Sequence, residues 1–230
     1  TGKPPFARFW IHNGFVNINA EKMSKSLGNI RSIPAILEKL DPEVVRYFLI
    51  SSHYASPLDF TDEAMGNAQE ALSRFYETMM RLQNTPDGNA SFGVDPKDLL
   101  DKGMSDDFNT PIVVGRLFDL VRQINKSLDT GKNFSSKAKL EVLKTIQQIA
   151  SILGVFGSPP ADFLERQKRR GLTTTTVDEP KIQALIAERN AARTTKNWQR
   201  SDEIRAELAT HNILLKDNPD GTTSWEIKVS

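Results

Sequence analysis

Glu21-Lys22-Met23-Ser24-Lys25-Ser26-Leu27-Gly28-Asn29 sets two lysines three residues apart among small hydroxyl side chains, with Gly28 close behind. Such a loop is cationic and rich in hydrogen-bond donors. Each ammonium is a compact point charge, and serine hydroxyls and loop N–H groups complete a surface suited to polyphosphate. A solvated basic loop has the same composition. The flanking sequence must decide between the two readings.

Immediately upstream, Val16, Ile18 and Ala20 alternate with Asn17 and Asn19, the period of a strand. A strand this early, directly before a loop of this kind, leads us to expect a larger protein continuing upstream. Downstream, a helix is predicted from Ile33 to Lys39, with Ser32 as N-cap and Pro34 at a tolerated early position. A second begins at Pro42, capped by Asp41, with Val44, Val45, Phe48 and Leu49 as its apolar stripe. Ser56 to Phe60 reads as a short extended link. Residues 1–60 therefore read as the end of an α/β domain.

The bulk composition narrows the function classes. With 230 residues, 38% of them hydrophobic, the chain can bury a core without staples. The net charge of +1 creates no global field, so any nucleic-acid binding must come from local patches. No cysteine is present, which excludes disulfides and thiolate metal sites within this chain. No apolar run reaches the roughly 18 residues of a membrane span, and no targeting signal opens the chain. A cytoplasmic protein without membrane contact is the expectation.

Residues 61–165 read as a helical bundle. Thr61-Asp62-Glu63 starts a long helix carrying Ala64, Ala68, Ala71, Leu72, Phe75, Met79 and Leu82, and the run Thr85 to Asn89 ends it. Ser105 to Pro111 is a second start signal, followed by Val114, Leu117, Phe118, Val121 and Ile124 at helical spacing. A third helix is predicted over 136–153. The Met and aromatic residues of the bundle read as core. Residues 166–179 read as a flexible linker, basic at Lys168-Arg169-Arg170 and low in complexity from Thr173 to Thr176. Residues 180–230 read as a separate unit of two helices and a hairpin. Ile182, Leu185 and Ile186 mark the first helix, Asn197 caps the second, and Pro219-Asp220-Gly221 turns the hairpin.

Lys-Met-Ser-Lys-Ser with its Leu-Gly-Asn tail resembles the second signature of class I aminoacyl-tRNA synthetases, the loop that closes over ATP during amino-acid activation. His12-Asn13-Gly14-Phe15-Val16, Ser105 to Pro111, Trp198 to Asp202, Ile213 to Asp217 and Gly221 to Trp225 resemble, in order, segments of the cysteinyl-tRNA synthetases. The resemblance runs over essentially the whole chain and implies the C-terminal half of such an enzyme. The fold it implies is mainly α: the end of a class I α/β catalytic domain, an α-helical bundle, then a small α+β anticodon-binding module. The implied function is ATP-dependent activation of L-cysteine and its transfer to tRNA(Cys), with ATP accompanied by Mg2+. The family also uses Zn2+ to recognise the thiol, through cysteine, histidine and glutamate ligands expected upstream of Thr1. Its first signature, His-Ile-Gly-His, is absent here, and the three histidines His12, His53 and His211 are isolated. This chain alone is therefore expected to be inactive.

The resemblance places Lys25 on ATP phosphate, and Lys22 is the second candidate cation. Ser24 and Ser26 shape the loop or donate to the nucleotide, and Gly28 lets the loop close. Met23 reads as an apolar anchor. Backbone groups from Gly14 to Val16 either contact adenine, as the resemblance implies, or belong to a core strand. Between Arg166 and Arg205 there are ten Lys or Arg against five Asp or Glu, and Arg189 and Arg193 share a helix face. The family's anticodon contacts match Arg193, Trp198, Asp202, Arg205 and Asp217, types suited to stacking and base-edge recognition. Asp202 with Arg205 also reads as a surface ion pair, and Trp198 as core. A stand-alone tRNA-binding or regulatory module is the alternative reading. A related ligase that joins cysteine to an amino-sugar inositol shares the loop but lacks a counterpart of residues 180–230.

Overall fold

Val16–Ile18 forms strand β1 in the computed structural model, which describes residues 2, 4–24, 26–29, 32–91, 95–174, 177–217 and 221–227. The chain turns at Asn19 and Ala20, both at positive φ (52° and 64°), and returns antiparallel as β2 (Glu21–Lys22). Two such residues give a hairpin turn of the right twist, a conformation alanine rarely adopts. Both Asp59 carboxylate oxygens accept from the Ala20 N–H at 3.0 Å and hold it there.

β3 (Leu58–Phe60) lies parallel to β1 on its other edge, with Val16 opposite Leu58 and Ile18 opposite Phe60. The segment expected as an extended link is thus a third strand. Parallel strands need a long crossover, supplied by α1 (Ile33–Lys39) and α2 (Pro42–Ile50). Their predicted caps are present: Ser32 accepts from the Ala35 N–H at 3.4 Å and Asp41 from the Glu43 N–H at 2.9 Å. Gly14 enters β1 where the chain passes residue 56. A Cβ there would lie 2.1 Å from the Ser56 carbonyl oxygen, so the approach requires glycine.

α3 (Asp62–Asn84), α5 (Thr110–Asp129) and α6 (Ser136–Leu153) follow the predicted periodicities. α4 (Pro96–Met104), capped by Asp95, is not predicted; it is short, and Leu99 and Leu100 are its only buried side chains among those described. Met65, Leu72, Phe75, Met79 and Leu82 of α3 share one buried core with Val113, Leu117, Val121 and Ile124 of α5. Ile18, Val44, Phe48 and Phe60 belong to the same core, so the sheet and the bundle are continuous across residue 60.

A second core contains Val177, Ile182, Leu185, Ile186, Ile204, Leu208 and Ile213. It lies among α8 (Glu179–Thr194), α9 (Trp198–Thr210) and the hairpin of β4 (Ile213–Asp217) and β5 (Thr223–Ile227). The hairpin pairs Asp217 with Thr223 at its turn end; Pro219 and Asp220 lie outside the described residues.

Between the cores runs α7 (Pro160–Thr174), so residues 166–174, expected as flexible linker, are helical. Local composition misleads here because tertiary contacts hold the helix. Phe163 is fully buried, the Arg166 Nε–H donates to Asp41 at 3.0 Å, and Arg170 donates to the Leu37 carbonyl at 3.2 Å. Gly171 is buried inside the helix, while Thr175 and Thr176 lie outside the described residues.

Candidate functional site

The loop after β2 is shaped by one asparagine. Asn29 accepts from the Ser24 N–H at 2.9 Å and donates to the Lys22 carbonyl at 3.3 Å, tying the two ends of the loop together. Inside that closure the Ser24 and Ser26 hydroxyls bond to each other at 3.1 Å, and the Leu27 N–H donates to Ser24 at 3.4 Å. Gly28 takes φ = 66°, the left-handed region that favours glycine. Met23 packs against the main core, as an anchor should, and its N–H donates to the Val16 carbonyl at 3.2 Å.

The exposed Lys22 sets its ammonium 4.3 Å over the Phe15 ring. Lys25 lies outside the described residues. The Gly14 N–H is engaged by the Tyr54 carbonyl at 2.8 Å, and the Phe15 carbonyl accepts from Leu58 at 2.9 Å. The backbone from Gly14 to Val16 is therefore strand-bonded on this side.

The second constellation lies in the C-terminal unit, around Asp217 at the end of β4. Arg189 of α8, 3% exposed, donates through Nη1 to Oδ1 at 2.8 Å and through Nη2 to Oδ2 at 3.0 Å. Arg193, one turn on, places Nη1 2.7 Å from Oδ1, and Arg205 of α9 places Nη2 3.9 Å from Oδ2. Thr223 donates to Oδ1 at 3.1 Å from across the hairpin. Three guanidiniums thus face one carboxylate. On α9, Trp198, Asp202 and Arg205 fall at i, i+4 and i+7 and share a face. Trp198 is 58% exposed, so it is available for stacking and is not core. A cleft of about 890 Å³ opens beside Asp217 between α3, α7 and the hairpin, with Arg74, Gln167 and Trp225 in its wall.

The structure therefore brings Arg193, Arg205 and Asp217 together and sets Trp198 and Asp202 on the adjoining helix face. Two residues of consequence were not singled out as site residues from sequence: Asn29, which closes the loop, and Arg189. Arg189 carried a signal, its spacing of four from Arg193. Asn29 carried only its place in the Leu-Gly-Asn tail.

The forked bond from Arg189, then its charge, Thr223 and Arg193, hold the Asp217 carboxyl well below its ordinary value of 3.8 against the opposing effect of burial. A depressed folded pKa adds stability that is complete above the unfolded pKa and lost as pH falls toward the folded one. Asp217→Asn is accordingly expected to lower the melting temperature at neutral pH, with the gap from wild type closing below about pH 4. Thermal melts across that range test this; a gap independent of pH would contradict it.

Among the described residues no group of three or more His, Cys, Asp or Glu is arranged to hold a metal ion. No described helix is long and apolar enough to cross a membrane.

Three family models match the chain in succession. The class I (C) tRNA synthetase catalytic domain matches residues 1–70, the DALR domain 101–157, and the cysteinyl-tRNA ligase anticodon-binding domain 179–225. The chain is 43% identical over 238 residues to the cysteine–tRNA ligase of Geobacter metallireducens, covering 97% of this chain and 49% of that protein. This chain belongs to the cysteinyl-tRNA synthetase family. It is 42% identical over 251 residues to the ligase of Geotalea uraniireducens (99% of this chain, 50% of that one). To the ligase of Thermodesulfovibrio yellowstonii it is 38% identical over 246 residues (100% and 49%). It spans about half the length of the curated synthetases it matches, as their C-terminal region. The mainly α architecture agrees with the order of the matched domains.

Proposed function

We propose that this chain is the part of a cytoplasmic cysteine–tRNA ligase that supplies the phosphate-binding loop and reads the anticodon of tRNA(Cys). The complete enzyme joins L-cysteine to ATP, releasing pyrophosphate, and passes the cysteinyl group to tRNA. In the first step the cysteine carboxylate attacks the α-phosphate, and negative charge builds on the departing pyrophosphate. Lys25, with Lys22 beside it, places cations there. Ser24 and Ser26 donate from the same loop, Gly28 lets it close, and the strand from Gly14 to Val16 borders the adenine. Mg2+ would arrive with the nucleotide, and Zn2+ would be held by residues outside this chain.

The observation that carries the RNA half of this reading is the convergence of Arg193 and Arg205 on Asp217, within the stretch that matches an anticodon-binding domain. Arginines and a carboxylate fixed beside an exposed tryptophan supply base-edge donors, an acceptor and a stacking plane. Phe6, Phe9 and Trp10 are 81%, 87% and 69% exposed, an apolar surface that the remainder of the catalytic domain would cover. That supports the view that this chain does not complete aminoacylation by itself.

The test is binding of this chain to tRNA carrying a GCA anticodon and to copies with the anticodon changed, at one moderate salt concentration. A preference of about tenfold or more for GCA is expected, the weight of one lost base contact. Arg193→Ala or Asp217→Ala should remove much of it and, in the complete enzyme, raise KM for tRNA without slowing cysteine activation. Equal, strongly salt-dependent binding to all anticodons would show phosphate contact only and would defeat the reading.

A further inference from the structure

We propose that Arg189 is a positioning residue for anticodon recognition: buried behind the site, it fixes the plane of the Asp217 carboxylate so that Oδ2 remains the open acceptor for a base amino group. The inference rests on the anticodon reading above and adds a residue that touches no RNA in it.

The geometry points to this division of labour. Arg189 is 3% exposed, so its guanidinium cannot reach a base. Its two terminal nitrogens take both carboxylate oxygens, at 2.8 and 3.0 Å, and a fork of this kind fixes the carboxylate's plane. The oxygens are then unequal. Oδ1, besides its bond from Arg189, accepts from Thr223 at 3.1 Å, which uses up its lone pairs, and it carries the Arg193 charge 2.7 Å away. Oδ2, among the described residues, accepts from Arg189 alone, and Arg205 stands 3.9 Å away, beyond hydrogen-bond length.

An acceptor oxygen beside an arginine donor suits a base edge with an amino group next to a ring nitrogen acceptor, as in cytosine or adenine. A guanine edge, which would offer two N–H donors to both oxygens, meets an Oδ1 already filled. Asn190 supports the frame: its side-chain amide lies 3.0 Å from the Thr223 hydroxyl, joining α8 to the hairpin beside the ion pair.

The experiment measures binding of the full chain to tRNA with the GCA anticodon and with each anticodon base changed singly, at fixed salt, for wild type, Arg189→Lys, Asp217→Asn and the double variant. Lysine keeps the charge and loses the fork. Arg189→Lys is expected to lose about tenfold in discrimination at one anticodon position. Discrimination at the other two positions and the salt slope should stay as in wild type. In the Asp217→Asn background Arg189→Lys should change discrimination no further, because its effect passes through the carboxylate.

Undiminished selectivity in Arg189→Lys, or an equal loss at all three positions, would overturn the proposal while leaving the anticodon reading intact. A wild-type chain indifferent to the anticodon would overturn both. Should Arg189→Lys fail to fold, as judged by circular dichroism, Thr223→Ala keeps the fork and removes one bond to Oδ1. It should then relax discrimination at the same single position by a smaller factor, and no change there would overturn the proposal.

Discussion

Lys25→Ala in the complete enzyme is expected to slow formation of cysteinyl-adenylate by roughly 10²–10³-fold, the usual cost of removing one preorganised donor from a developing anion. Cysteine affinity should change little, because the amino acid does not carry the pyrophosphate charge. The effect is differential: the cation's attraction grows as charge moves from the α-phosphate bridge to the leaving pyrophosphate, so the loss falls on the rate. Lys22→Ala should cost less. Its ammonium lies 4.3 Å over the Phe15 ring, and reaching phosphate means leaving that contact. ATP–pyrophosphate exchange at saturating cysteine separates the two. Equal exchange rates for wild type and Lys25→Ala would end the role assigned to this lysine.

The loop and its flanks were legible because their determinants are local. Ser32 and Asp41 cap the helices that their side-chain chemistry predicts. α3, α5 and α6 follow apolar spacing that a single helix face must satisfy. Features decided at a distance were not legible. Leu58 to Phe60 pair with β1 across the whole α1–α2 crossover, and nothing in three residues announces a strand. The segment from 166 to 174 is polar enough to read as linker, yet Arg166 and Arg170 are bonded to α2 and α1. The same holds for the candidate sites. Arg193, Asp202 and Arg205 were visible as residue types in a basic stretch, but the approach of β4, which brings Asp217 onto α8, is tertiary. That approach makes Arg189 a buried partner where its spacing alone suggested a second surface arginine.

Glu43→Ala is expected to destabilise the larger core by about 2–4 kcal/mol, since each buried donor left without its acceptor costs about 1–3 kcal/mol. Glu43 sits in the first turn of α2, its side chain 11% exposed, and collects donors from four places. Its Oε1 accepts from the Tyr76 hydroxyl of α3 and from the Phe156 N–H at 2.6 Å; its Oε2 accepts from the Ser158 hydroxyl at 2.9 Å and faces Arg166 of α7 at 3.5 Å. Burial, and then this bond to Glu43, push the Tyr76 phenol far above its ordinary pKa, so it remains a neutral donor across the working pH range. Removing the carboxylate leaves the tyrosine hydroxyl and the Phe156 N–H without their acceptor, and an unpaired buried donor costs more than its bond was worth. Tyr76→Phe removes the donor to Glu43 and the acceptor of the Ser158 N–H at 3.1 Å but keeps the ring, which stacks on Phe163 with centroids 4.3 Å apart, so it should cost about 1–2 kcal/mol. Urea unfolding of both variants decides the matter; a Glu43→Ala cost no larger than that of Tyr76→Phe would show that the network is not cooperative. The consequence reaches the function. α2 follows the Glu21–Asn29 loop through α1, and α7 leads to the unit that matches an anticodon-binding domain, so this carboxylate joins the frames of the two candidate sites. Glu43→Ala in the complete enzyme should therefore raise KM for tRNA at temperatures where the protein is still folded, although Glu43 touches neither nucleotide nor RNA in this reading.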